Sequence, residues 1–231
     1  MLDLLLPQRC VVCGLAGAQL CTGCRRQLPP LAPPLCERCG APTAWPVRRC
    51  RECSDRRLSF AAARAAVAYD DRVRKLVAAW KERGLRGLAG EAASVVAANL
   101  PRPTADVLTF VPPDASRRLE RGHHPAERLA QALAARWEMP CERRLRRARP
   151  SRRQRGLSLA ERRRNVAQAF AADLVRGTVV LVDDVYTTGA TASAAASALR
   201  AAGARRVEVV TLARAVRTAG LGLGPVRWVP I

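Results

Sequence analysis

The sequence predicts an α/β fold with a parallel sheet, preceded by a small cysteine-rich module. Residues 179–182 and 207–212 are apolar without polar alternation, which is typical of strands buried on both faces of a sheet. Alanine- and leucine-rich stretches between the strand candidates favour helix. The module is indicated by eight cysteines among residues 1–53. We place the module at residues 1–57 and the α/β domain at residues 58–231.

The predicted elements of the α/β domain alternate along the chain. Strands are expected at residues 63–69, 106–111, 179–182 and 207–212, the third ending at Asp183. Helices are expected at residues 71–83, 88–100, 125–137, 161–172 and 193–204. The first helix has one apolar face, which we assign to the core and which consists of Val73, Leu76, Val77 and Trp80.

Length and composition limit the possible classes of protein. With 231 residues, of which 49% are hydrophobic, the chain can bury a core and is not mainly disordered. The formal net charge of +21 comes almost entirely from arginine, which suits phosphate-bearing partners such as nucleic acid but also reflects genome composition in some organisms. No apolar run has the length of a membrane helix, and the first residues lack a secretory pattern. We therefore expect a cytoplasmic protein without a membrane span.

Eight of the nine cysteines form four C-x-x-C pairs, and two such pairs complete one tetrahedral zinc site. The sequence thus predicts two structural Zn²⁺ ions, which would lower the formal charge by two each, from +21 to about +17. Interleaved pairing and disulfide bonds are the alternatives. Ligands assigned in chain order are Cys10, Cys13, Cys21 and Cys24 for one site, and Cys36, Cys39, Cys50 and Cys53 for the other. Cys141 is expected to be a buried or incidental thiol.

Residues 179–191, VVLVDDVYTTGAT, combine a strand, two acids and a small polar loop that leads into a helix. Unpaired N–H groups and the positive end of the dipole at a helix start favour phosphate, and threonine hydroxyls add donors. The carboxylates of Asp183 and Asp184 can accept hydrogen bonds from sugar hydroxyls at the carboxyl end of the strand. This pattern indicates a site for a phosphorylated ribose. The alternative is a magnesium site of a nucleotide hydrolase, although no Gly-Lys-Ser/Thr loop is present.

The same stretch closely resembles the signature of type I phosphoribosyltransferases, which bind phosphoribosyl pyrophosphate (PRPP) with Mg²⁺. The resemblance implies that Asp183 and Asp184 bind the ribose hydroxyls. It also implies a 5′-phosphate loop formed by Thr187, Thr188, Gly189, Ala190 and Thr191.

Two arginine-rich stretches have counterparts in the same resemblance. The loop after the second strand corresponds to a pyrophosphate loop, with Arg117, Arg118, Arg121 and Gly122. Residues 142–164 hold eleven arginines and two glutamates, a local charge of +9, and we expect them to be solvated and mobile. They correspond to a flexible loop that closes over the sugar diphosphate, with Arg153, Gln154 and Arg155. A nucleic-acid footprint is the alternative use of this charge. His123 and His124 are expected to be surface or capping residues.

Over nearly the whole chain, the sequence resembles the ComF (ComFC/GntX-like) family, which is linked to competence and the use of external DNA. The matching stretches are MLDLLLPQRCVVC, YDDRVRKLVAAWKERG with Tyr69 and Lys81, RRLERG, and RRQRGLSLAERRRNVAQAF. The resemblance implies a PRPP-binding phosphoribosyltransferase, a pentosyl transferase whose acceptor the sequence does not identify. The alternative function is a non-catalytic adaptor that binds single-stranded DNA or competence proteins and uses the PRPP site for sensing.

Overall fold

The computed structural model describes residues 8–113, 124–148 and 169–216. Its helices are α1 (Thr22–Arg26), α2 (Asp71–Glu82), α3 (Leu88–Asn99), α4 (Pro125–Trp137) and α5 (Ala190–Ala201). Its strands are β1 (Ala62–Ala68), β2 (Val107–Phe110), β3 (Leu145–Arg147), β4 (Phe170–Ala172), β5 (Thr178–Tyr186) and β6 (Arg206–Arg214).

Four strands form a parallel sheet in the order β1-β6-β5-β2. The central pair, β5 and β6, runs in register from Thr178 opposite Arg206 to Tyr186 opposite Arg214. β3 and β4 form a separate antiparallel pair. The predicted parallel α/β architecture is therefore confirmed.

Successive side chains of each strand point to opposite sides of the sheet, and both sides are buried. Val180 and Val182 of β5 pack with α2, α3 and α4. Val179 and Leu181 pack with α5 and with Phe170 of β4 on the other side. Apolar residues on both faces explain why β5 and β6 show no alternation in the sequence.

The cysteine-rich module packs against both faces of this sheet. Its first part contributes Leu20 and Leu28 to the core on the α2 side, and its second part contributes Cys36 and Ala41 to the core on the α5 side. The module also covers the outer edge of β1, where the N–H of Ala68 donates to the Pro29 carbonyl at 2.8 Å. Covering an edge strand removes a site at which another chain could pair.

Strand β5 is longer than predicted. The two acids were expected to end it, but it continues through Asp183 and Asp184 to Tyr186, because it pairs with β6 up to Arg214. Helix α5 likewise begins at Ala190, so Ala190 and Thr191 belong to its first turn rather than to a loop.

Two further predictions were wrong around the arginine-rich stretch. Residues 170–172, predicted as the end of a helix, form β4, and residues 145–147, predicted to be solvated and mobile, form β3. The pairing is stabilised by apolar anchors, since Leu145 and Phe170 are both buried in the core on the α5 side. Arg147 also places its guanidinium 5.0 Å from the centre of the Phe170 ring.

None of the helices among the described residues is both long and apolar enough to cross a bilayer.

Candidate functional site

The two acids at the end of β5 lie on opposite faces of the sheet, as neighbours in a strand must. Asp183 faces the α5 side, where it lines a small cavity together with Thr187, Thr191 and Thr211. Asp184 faces the α2 side, where its Oδ1 lies 2.7 Å from the Nζ of Lys81. The predicted acidic pair is therefore split between two environments.

Asp183 has an unusual electrostatic environment. Burial disfavours its charged form, and the charge of Asp184 acts in the same direction, so its pKa is raised from 3.8 to about 7. Lys81, the N–H of Asp184 and Arg147 oppose this shift. The Oδ1 of Asp183 accepts a hydrogen bond from the N–H of Asp184 at 2.9 Å. Near neutral pH this carboxyl group can therefore either accept or hold a proton.

Lys81 and Tyr69 complete the site on the α2 side. The Lys81 and Asp184 side chains are only 22% and 14% exposed, so water screens their ion pair less than it would on an open surface. Tyr69 follows β1 and anchors its end, because its N–H donates to the Arg214 carbonyl at 2.7 Å. Burial raises the pKa of the Tyr69 hydroxyl, and the nearby charge of Lys81 acts in the opposite direction. In the sequence, both residues stood out only as matches to a family pattern.

The predicted phosphate loop sits directly after β5. Gly189 has φ 72°, in the left-handed region, and a Cβ there would lie 2.2 Å from the Tyr186 Oη, so both conformation and space require glycine. Thr187 and Thr188 are exposed, and the Thr188 Oγ1 accepts from the N–H of Ala190 at 3.4 Å. The N-cap residue of α5 is Gly189, so no side chain at this position caps the helix. The first-turn N–H groups are therefore suited to an anion.

Two cavities differ in size and in position relative to this loop. The one lined by Asp183 and the threonines measures about 30 Å³, which holds one or two water-sized groups. A larger one, about 490 Å³, lies at the amino ends of β1 and β6. The smaller cavity is the one at the carboxyl ends of the strands, where ligands of parallel α/β sheets bind.

The cysteines form two separate clusters in chain order, and within each cluster all four Sγ atoms lie within 4.8 Å of one another. A tetrahedral zinc site with Zn–S bonds of 2.3 Å requires Sγ–Sγ separations of about 3.8 Å. The observed separations fit: 3.7 Å for Cys13–Cys21, 3.7 Å for Cys36–Cys53 and 3.5 Å for Cys39–Cys50. The clusters are suited to two structural Zn²⁺ ions, and the interleaved pairing is excluded. We call them cluster 1 (Cys10, Cys13, Cys21 and Cys24) and cluster 2 (Cys36, Cys39, Cys50 and Cys53).

Backbone N–H donors favour the thiolate form of the first cysteine in each cluster. Burial opposes the thiolate of Cys10, but N–H groups including that of Cys21 outweigh burial and lower its pKa to about 6. In the same way, N–H groups of Cys39 and Cys50 outweigh burial and lower the pKa of Cys36 to about 7. A thiolate near neutral pH is the form that binds zinc.

Several predicted site residues lie outside the described residues, namely Arg117, Arg118, Arg121, Gly122, His123, Arg153, Gln154 and Arg155. Next to these segments, the sequence interpretation missed Arg147, whose charge lowers the pKa of Asp183 and whose Nε donates to the Pro113 carbonyl at 3.0 Å. His124 caps α4, since its Nδ1 accepts from the N–H of Glu127 at 2.9 Å. Cys141 is partly buried, and burial raises the pKa of its thiol to about 11.

Comparison with known families identifies both parts of the chain. Residues 1–54 match the double zinc ribbon domain, and residues 119–221 match the phosphoribosyl transferase domain. The chain is 28% identical over 224 residues to Competence protein F of Haemophilus influenzae, covering 90% of this chain and 97% of that protein. It is 29% identical over 230 residues to the DNA utilization protein YhgH of Salmonella typhi, covering 91% and 99%.

The chain also shows partial similarity to two solved structures. The glutamine PRPP amidotransferase of B. subtilis is 28% identical with a TM-score of 0.39; the match covers 53% of this chain and 26% of that one, so the chain spans about a quarter of its length. Orotate phosphoribosyltransferase of Aeropyrum pernix is 22% identical with a TM-score of 0.34, covering 66% and 70%.

Proposed function

We propose that this protein, in which a double zinc ribbon precedes a phosphoribosyltransferase domain, belongs to the ComF family, binds PRPP with Mg²⁺ and transfers its ribose phosphate to an acceptor. The observation that supports this best is the convergence of Asp183 with Thr187 and Thr191 on one cavity at the carboxyl end of β5. The names of the two curated relatives support a role in competence or the use of external DNA.

Binding divides between the loop and the acids. The hydroxyls of Thr187, Thr188 and Thr191, with the first N–H groups of α5, hold the 5′-phosphate. Asp183 and Asp184 accept hydrogen bonds from the ribose hydroxyls. Because the acids point to opposite faces of the sheet, the sugar sits over the end of β5 rather than on one side of it.

The transfer breaks the bond between the anomeric carbon and a pyrophosphate oxygen. The electron pair leaves with pyrophosphate, and the acceptor atom forms the new bond to that carbon. Mg²⁺, when bound, adds positive charge to the leaving group. Lys81 and Arg147 supply further positive charge for the departing pyrophosphate, whose negative charge increases as the bond breaks. The predicted pyrophosphate loop with Arg117, Arg118 and Arg121 would extend this neutralisation, and the predicted flexible loop with Arg153 would exclude water.

Calorimetric titration with PRPP and Mg²⁺ tests the binding step. We expect Asp183→Asn to weaken binding about tenfold or more, since it removes a charged acceptor. Asp71→Asn is the matched control, because the Asp71 side chain is 85% exposed and does not line the Asp183 cavity. Absence of binding at millimolar PRPP, or equal affinity of all three proteins, would count against the proposal. Release of pyrophosphate then separates turnover from binding alone.

A second candidate function, the single-stranded DNA adaptor, is favoured by the larger cavity. Its walls include Arg38, Arg200, Arg205 and Arg206 and no carboxylate, and it opens at the end of the sheet opposite to Asp183. Such an arginine-rich surface is suited to binding the phosphodiester groups of DNA. The residues that line the cavity include Phe60, but its ring is fully buried, so stacking with bases does not contribute there.

The adaptor is tested by measuring single-strand affinity across a salt series. Replacing Arg205 and Arg206 by alanine should reduce the slope of log affinity against log salt by roughly 0.7 per lost phosphate contact. Arg72→Ala is the control, since Arg72 is half-exposed on α2 and away from the cavity. No binding at low salt, or an unchanged slope in the double variant, would rule this cavity out as the DNA site.

A further inference from the structure

The buried guanidinium of Arg214 joins cluster 2 to the phosphate loop. Arg214 ends β6, is only 2% exposed, and reaches across to the module. Its Nη1 donates to the Cys39 carbonyl at 2.6 Å, and its Nη2 lies 3.7 Å from the Cys39 Sγ and 2.7 Å from a carboxylate oxygen of Glu52. Fully buried arginine is uncommon unless it is paired, and here its partners are a metal-ligand thiolate and an acid beside it.

The same guanidinium contacts the support of the loop. Its carbon lies 4.6 Å from the centre of the Tyr186 ring, which is buried and packs edge-on against Phe60. The Tyr186 hydroxyl in turn fills the space beside Gly189 in which a Cβ would not fit. A continuous chain of contacts therefore runs from Cys39 through Arg214 and Tyr186 to Gly189.

A second set of contacts follows directly after cluster 2. Arg56 donates from its guanidinium to the carbonyl of Thr188 within the loop. The N–H of Ser59 donates to the Ser193 Oγ at 3.1 Å, in the first turn of α5. The segment between cluster 2 and β1 thus holds both the loop and the helix start.

Cluster 1 has a different environment. Its neighbours contact α2 and α3 instead: Lys75 donates to the Val12 carbonyl at 3.4 Å, and Arg25 pairs with Glu91. Among the described residues, no hydrogen bond or ion pair connects residues 8–28 with residues 187–193.

We propose that cluster 2, acting through the positioning residue Arg214, holds the phosphate loop in its binding conformation, so that metal retention in cluster 2 and PRPP binding favour each other. This inference rests on the proposed function, since it takes the loop to be the PRPP site. Coupling between two sites is reciprocal. If metal in cluster 2 raises the affinity for PRPP, bound PRPP raises the affinity of cluster 2 for metal by the same factor. The first cluster serves as an internal reference within the same molecule.

The test measures zinc loss from the wild-type protein with and without PRPP and Mg²⁺. A zinc-selective chelator removes the metal, and the freed cysteines are alkylated and located by peptide mass spectrometry. We expect PRPP to slow alkylation of Cys36, Cys39, Cys50 and Cys53 about tenfold, near the lower end of the usual range of coupling, and to leave cluster 1 within about twofold. Asp183→Asn is the control for direct effects of PRPP on the chelator, since its weaker PRPP binding should reduce the protection at the same PRPP concentration.

Variants of Arg214 extend the test to the linking residue. Arg214→Met should reduce the protection of cluster 2 by PRPP and weaken PRPP binding together, whereas Arg214→Lys, which keeps the charge, should restore part of both. PRPP binding with equal zinc loss from cluster 2 in its presence and absence would overturn the coupling and leave the proposed function intact. Failure of the intact protein to bind PRPP would overturn both.

Discussion

Replacing Asp183 by asparagine should make the protein more stable at alkaline pH and impair its binding site. Burial and the charge of Asp184 raise the pKa of Asp183 from 3.8 to about 7. An acid whose pKa is higher in the folded state binds its proton more tightly there than in the unfolded chain. The free energy of unfolding therefore falls as pH rises between about 4 and 7, and above this range the charged carboxylate keeps the folded state destabilised.

The size of the effect follows from the shift. A rise of roughly three pKa units corresponds to at most about 4 kcal/mol, because one unit is 1.36 kcal/mol. Asp183 is only partly buried and faces a cavity, so solvent reduces this value, and we expect a net gain of about 1–3 kcal/mol for Asp183→Asn at about pH 8. The zinc sites remain loaded only above about pH 5.5, so the measurement starts there. Between this pH and about pH 8, we expect the stability gain of Asp183→Asn to increase by about 1–2 kcal/mol.

Urea unfolding of the wild type and the variant, with zinc and a reductant present, measures this difference at several pH values. Asp71→Asn is the control for loss of an acid on the surface. A variant that is less stable than the wild type throughout, or a gain that is the same at about pH 5.5 and pH 8.5, would refute the raised pKa. The PRPP affinity of Asp183→Asn then shows whether the carboxylate that destabilises the folded state is also required for PRPP binding.

Three other substitutions test the surroundings of the site. Lys81→Met removes the cation paired with Asp184, so we expect a loss of about 1–3 kcal/mol in urea unfolding and weaker PRPP binding by calorimetry. Gly177→Ala should cost about 2–3 kcal/mol without affecting zinc content, because Gly177 has φ 74° and a Cβ would lie 2.1 Å from a carboxylate oxygen of Asp106. His124→Ala removes the acceptor that caps α4 and should cost about 1 kcal/mol in the same measurement, with little change in PRPP affinity.

Elements whose signal is local were predicted well. The face formed by Val73, Leu76, Val77 and Trp80 is fully buried in α2, and α4 has the predicted bounds, residues 125–137. The cysteine clusters were also predicted, because a C-x-x-C pair places two sulfurs at one metal whatever the rest of the chain does.

Elements that depend on distant partners were not predicted. The acids after residue 182 suggested the end of a strand, yet β5 continues because β6 offers pairing partners up to Arg214. Leu145 stands alone in a run of arginines, and its burial results from packing against the α5 side of the sheet. Nothing local in the sequence indicated that Arg214 would be buried against Cys39, 175 residues away.

The positions of the two metal clusters relate them to the two acids of β5. Cluster 1 lies against α2, the helix that bears Lys81 and hence the partner of Asp184. Cluster 2 lies behind α5 and the loop next to Asp183. Because Asp183 and Asp184 point to opposite faces of one strand, each zinc ribbon supports the face to which one acid belongs. Contacts through Arg214 join cluster 2 to the loop beside Asp183, whereas cluster 1 contacts α2 at Lys75, and no hydrogen bond or ion pair among the described residues joins it to that loop.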